Sequence, residues 1–73
     1  MSAKPYDFKE VGRCMRVLRQ SHGWTQAELA AKANRSISTI SALERGERDM
    51  SINTFLVLCR TLECLPSELL GNQ

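Results

Sequence analysis

The side chains with the most usable chemistry lie on one face of residues 37–45, ISTISALER. At about 100° per helical residue, Ile37, Ser41, Arg45, Ser38 and Ala42 fall within roughly 140° of arc, and Ile40 and Leu43 fall on the opposite side. The outward set is small and mostly uncharged. Such a face can approach a base edge closely. Ile37 and Ala42 suit thymine methyl groups, and the hydroxyls of Ser38 and Ser41 can serve donors or acceptors. No outward Gln or Asn offers adenine a bidentate contact. Arg45 and Arg48 flank Gly46 and are the cations placed to meet phosphates. Arg35 either reaches a phosphate or is a solvated turn residue.

Catalytic chemistry is not provided for. The sequence shows no carboxylate pair, nucleophile–base set or phosphate loop, so no enzyme is expected. His22 is the only histidine and reads as an exposed residue just before the Gly23 helix stop. The three cysteines, Cys14, Cys59 and Cys64, form no C-x-x-C pair. A zinc site and a disulfide framework are therefore not expected. Cys14 and Cys59 fall on apolar helix faces and read as small buried hydrophobes. No cofactor, metal or small-molecule ligand is evident.

The elements that must position the reading face can be placed from local chemistry. Residues 26–33 carry Leu29, Ala30 and Ala33 on one face of a helix pattern, and a second pattern begins at Ile37. Only Asn34, Arg35 and Ser36 separate them. Two helices joined by so short a turn cross steeply, as in a helix-turn-helix, a unit that often lays its second helix in the DNA major groove. Thr25 and Glu28 form a capping-box pattern, and Ser36 suits the N-cap of the second helix. Asn34 tolerates the left-handed conformation the turn needs. Ala30 lets the helices approach, and Gly46 stops the second one.

Residues 1–6 are expected to be a flexible arm. Asp7, with Glu10 three residues on, should open a first helix, with Tyr6 and Val11 as a hydrophobic staple. Phe8, Val11, Met15 and Leu18 follow helical spacing, with Cys14 beside them. Gly12 inside this helix permits a close contact. Gly23 ends it, and Trp24 plugs the core edge. Beyond an ERDM loop, Ser51 caps a fourth helix to about Leu62, with Ile52, Phe55, Leu58, Cys59 and Leu62 facing the core. Pro66 opens a short fifth helix that Gly71 ends. The expected fold is all-α: five helices in one compact domain over residues 7–71.

The chain has 73 residues and a net charge of +2, room for one domain. Residues 1–48 hold nine of the ten basic and five of the eight acidic residues, so a basic half carries the helix pair and the remainder is acidic. That asymmetry fits attraction to phosphate at one face. No apolar run approaches the roughly 18 residues of a membrane span. The start, MSAKPYDFKE, lacks the apolar stretch of a signal peptide. A soluble cytoplasmic protein is the expectation.

The segments LRQSHGWTQAELAAKA, SISTISALERGER and SINTFLVLCRTL, closing on ELLG, resemble the lambda repressor and Cro-like helix-turn-helix family of small bacterial and phage regulators. The likeness covers residues 8–71. TQAELA followed by TISALERG at this spacing is its specific part. Asn34 stands where the family usually has Gly, Arg35 where it has an apolar residue, and Val57 and Leu65 where it is usually polar. The resemblance implies a five-helix DNA-binding domain with residues 37–45 as the recognition segment. It implies that Gln26, with Thr25 beside it, meets phosphate at the start of the motif, where free backbone donors favour an anion. It implies an ion pair between Arg19 and Glu44 that orients the recognition helix. It also places Val57, Leu65, Pro66 and Leu69 beside the two-fold axis of a homodimer.

The expected function is therefore a sequence-specific transcriptional regulator, a homodimer on a pseudo-palindromic double-stranded operator. A small repressor or a restriction–modification controller fits, and ERDMSINTF resembles the controllers. The alternative is an antitoxin or protein-interaction module whose main partner is another protein.

Overall fold

A computed structural model describes residues 7–71 of the chain. The expected arm over residues 1–6 and the Tyr6–Val11 staple lie outside the described residues. Among the described residues five helices follow one another: α1 Phe8–Ser21, α2 Gln26–Ala33, α3 Ile37–Glu44, α4 Ile52–Thr61 and α5 Pro66–Leu70.

The starts of α1 to α4 are each fixed by a short polar side chain turned onto free backbone donors. Asp7 accepts from Lys9 N–H at 3.0 Å. Thr25 and Glu28 form the full reciprocal box, with bonds of 3.1 and 2.8 Å. Ser36 accepts from Thr39 N–H and Ser51 from Thr54 N–H, both at 3.1 Å. Such caps are each worth about 1 kcal/mol. In α5 the Glu68 carboxylate takes the Leu65 N–H at 2.7 Å, and Pro66 supplies a first position that needs no donor. Asn34 ends α2 in the left-handed region at φ 55°, ψ 49°, as its side chain type anticipates.

The helices enclose one core. Val11, Cys14 and Met15 of α1 meet Leu29, Ala30 and Ala33 of α2, Ile40 and Leu43 of α3, Leu58 and Cys59 of α4, and Leu62 and Leu69. α1 packs on α3 and α5, and α2 packs on α3 and α4. Gly12 allows the first of these contacts. A Cβ there would overlap the Leu43 carbonyl oxygen and lie 2.8 Å from that of Glu44. Trp24 packs against the core edge, as expected.

Three expectations are corrected. Ile52 does not face the core; it is 72% exposed. It occupies the first position of α4, where side chains tilt towards the helix N-terminus and so project past the packed end. There it lines an apolar hollow with Met50, Phe55 and Leu70. Leu69, expected on a partner surface, is 0% exposed and belongs to the protomer's own core. His22 is half-buried rather than exposed. Its Nε2–H donates to the Leu62 carbonyl at 2.7 Å, and its ring stacks on Trp24 at 4.2 Å between centroids.

Candidate nucleic-acid interface

α3 presents the face its sequence describes. Ile40 and Leu43 are buried, Ile37, Ser38 and Arg45 are exposed, and Ser41 and Ala42 are half-buried. The helix is held by its cap at Ser36, whose hydroxyl also donates to Thr39 Oγ1 at 2.8 Å.

Glu44, at the last turn of α3, bonds to two other helices. Arg19 of α1 donates to that carboxylate twice, Nε to Oε2 at 2.6 Å and Nη2 to Oε1 at 3.0 Å. Gln26 of α2 donates Nε2–H to Oε1 at 3.0 Å. The remaining terminal nitrogen of Arg19 reaches the Trp24 carbonyl at 2.8 Å. One carboxylate thus ties the last turn of α3 to both α1 and α2. Arg19 and Glu44 are 9% and 8% exposed, and the hydrogen bond to Glu44 raises the Arg19 pKa against the opposing effect of burial. Such a pair contributes geometry more than net stability, because desolvation offsets most of the attraction. Among the described residues no buried side-chain nitrogen or oxygen lacks a partner.

The start of α2 also offers donors. The capping box engages the N–H groups of Thr25 and Glu28. Those of Gln26 and Ala27, between them, fall among the first-turn donors that no helical carbonyl can reach. The Gln26 side chain is spent on Glu44, so what this residue presents outward is its backbone.

The three arginines of the motif differ in freedom. Arg35 is neither a simple solvated residue nor a free cation. Its guanidinium donates to the carbonyls of Ala33 and Asn34 at 3.2 and 3.0 Å and to Thr54 Oγ1 at 3.2 Å, bracing the turn against α4. Arg45 is bound by Glu47 and Ser41. Arg48 is exposed. Glu47 and Thr54 were not anticipated. Glu47 lies beyond Gly46, which takes φ 68° and ends the helical spacing; Thr54 is 19 residues from Arg35, so neither had a local signal.

The expected interface residues scatter. Leu65 is 65% exposed, Pro66 is exposed and Val57 is half-buried, while Leu69 is internal. Leu56, which sequence reasoning passed over, is exposed on α4.

A profile described as a helix-turn-helix domain matches residues 10–70. The chain belongs to that helix-turn-helix family. Its placement among lambda repressor and Cro-like regulators agrees with the solved structures it resembles. The restriction-modification controller protein C.AhdI from Aeromonas hydrophila superposes with a TM-score of 0.82 at 33% identity, covering 86% of this chain and 96% of that one. Among sequences, "Antitoxin HipB" of Escherichia coli O6:H1 is 37% identical over 60 residues, 82% of this chain and 64% of that protein. The "Competence pilus inhibition repressor" of Acinetobacter baylyi is also 37% identical over 60 residues, 82% of this chain and 54% of that protein. The chain thus spans less than two thirds of the length of these two relatives. Its domain is a helix-turn-helix of the DNA-binding regulator type. No helix among the described residues is long and apolar enough to cross a membrane.

Proposed function

We propose that this helix-turn-helix protein is a sequence-specific double-stranded DNA-binding transcriptional regulator that acts as a homodimer on a pseudo-palindromic operator. The observation that carries the reading is the exposed face of α3, held in fixed orientation by Glu44 through Arg19 and Gln26. Ile37, Ser38, Ser41 and Ala42 read base edges. Arg48 and the start of α2 at Thr25 and Gln26 meet phosphates. Arg35 acts by holding the turn. A single unit reads few base pairs, whereas two units on half-sites about 34 Å apart multiply affinity. The exposed Leu65, with Pro66, the edge of Val57 and the neighbouring Leu56, supplies the apolar centre that a self-complementary patch needs.

The match that spans nearly all of the controller C.AhdI favours a controller or small repressor. The antitoxin reading is kept because 37% identity to HipB extends over 60 residues. Sequencing the genomic fragments retained by the purified protein separates these readings. A controller or self-regulating repressor enriches its own promoter region. Retention of no fragment above background, together with tight capture of a protein encoded beside it, would favour the antitoxin or interaction-module reading.

A further inference from the structure

Arg45 stands at the end of the reading face, and its surroundings are unlike those of a plain phosphate cation. Gly46 at φ 68° folds the chain so that Glu47 lies alongside it. Arg45 Nε donates to Glu47 Oε2 at 2.7 Å and Nη2 to Oε1 at 2.9 Å. Nη1 donates to the hydroxyl of Ser41, one turn earlier on the exposed face.

A guanidinium has five N–H groups, one on Nε and two on each terminal nitrogen. These bonds use the Nε–H and one N–H from each terminal nitrogen. One donor remains on Nη1 and one on Nη2, and with Ser41 on the Nη1 hydrogen nearer Cδ these two form the end-on fork that a bidentate acceptor takes. DNA offers two acceptors of that kind: the oxygens of a phosphate, and the N7 and O6 atoms on the major-groove edge of guanine.

The carboxylate favours the second. Glu47 lies against Arg45, so an arriving phosphate meets an anion at its flank and a weaker attraction than a lone cation gives, although solvent screens so exposed a pair. Guanine is neutral and needs only two donors in a fixed direction. Adenine, thymine and cytosine do not show two neighbouring acceptors in the major groove.

We propose that Arg45 is a specificity-determining residue that grips a guanine, and that Glu47 is the positioning residue that holds its fork over the reading face. The proposal rests on α3 being the helix that enters the groove. Arg48 then remains the cation for the backbone.

The test is selection of binding sites from randomised duplexes by the wild type, Arg45→Ala, Arg45→Lys and Glu47→Ala, followed by affinities for the selected site with its guanine replaced. The Arg45 and Glu47 side chains are 55% and 56% exposed, so the variants fold, and thermal melting checks this. The wild type should select a guanine at one position per half-site, by roughly tenfold or more. Arg45→Ala should level that position and leave the others. Arg45→Lys should level it too, because lysine keeps the charge but loses the fork. Glu47→Ala should weaken the guanine preference while affinity for random DNA holds or rises. Equal loss on all sequences in Arg45→Ala, with the guanine preference intact, would overturn the proposal and leave the groove-reading helix standing. An undiminished preference in Glu47→Ala would overturn the positioning role. A wild type that binds no duplex would overturn both this proposal and the reading beneath it.

Discussion

Glu44 binds Arg19 across 25 residues of sequence through two hydrogen bonds, 2.6 and 3.0 Å long. The pair joins the end of α3 to α1, and Gln26 adds α2 through the same carboxylate. Breaking a buried pair strands one charge, which costs about 3–5 kcal/mol, whereas removing both partners costs much less. Glu44→Ala and Arg19→Ala should therefore each lower stability strongly, and the double variant should fall well short of their sum. Denaturant unfolding of the three variants measures the coupling. Additive losses would mean that the two side chains act independently.

Gly12 tests the same helix contact from the other side. Replacing Gly by Ala in a helix ordinarily gains about 1 kcal/mol. Here the added methyl would meet the backbone oxygens of Leu43 and Glu44, which cannot rotate away. Overpacking of this kind costs about 1–3 kcal/mol, so Gly12→Ala should be less stable despite its better propensity. Thermal unfolding decides the sign, and a stabilised variant would show that α1 and α3 can part without cost.

The helix-turn-helix was legible because its determinants are local. Thr25 with Glu28, Ser36 and Asn34 each act within three residues, and capping chemistry reads directly from residue type. The Arg19–Glu44 pair was not available to spacing or periodicity, since nothing local links residues 25 apart; the family resemblance supplied it. The same distance hid His22, whose partner carbonyl is 40 residues away. Leu69 was misplaced for another reason. A five-residue helix makes little more than one turn, so its apolar residues do not define a face. Periodicity also gives a direction but not the extent of the core, which is why Ile52 was put inside. Arg45 was read as a free cation because its partner lies across a left-handed glycine, where helical spacing no longer applies.

Association should depend on the apolar residues that remain outside. Leu65→Glu together with Leu56→Glu should shift sedimentation from dimer towards monomer over a concentration series, with circular dichroism unchanged. Leu69→Ala should instead cost about 2–5 kcal/mol of stability by leaving a cavity in the core. A folded Leu65→Glu/Leu56→Glu variant that dimerises like the wild type would place the interface elsewhere.

The cysteines give a pH-dependent expectation. Burial, with help from the neighbouring Cys59, pushes the Cys64 thiol from its ordinary 9.0 to about 12, and burial raises Cys14 and Cys59 as well. A raised thiol pKa means that the folded state holds its proton more tightly than the unfolded state. Its contribution to stability is complete below about pH 9 and is lost as pH rises towards about 12. The thiolate is the reactive form, so an aromatic disulfide reagent at pH 8 should label the native protein slowly and the unfolded protein fast. Fast labelling of Cys64 in the native state would contradict this environment.

Whether the exposed face of α3 reads DNA sequence is decided by exchanging that face. The wild type and a Ser38→Arg/Ala42→Glu variant should be given the same randomised duplex pool at matched salt, with melting curves to show that both are folded. The wild type should enrich a two-fold symmetric site, and the variant a different one or none. A folded variant that selects the wild-type site with wild-type affinity would contradict it.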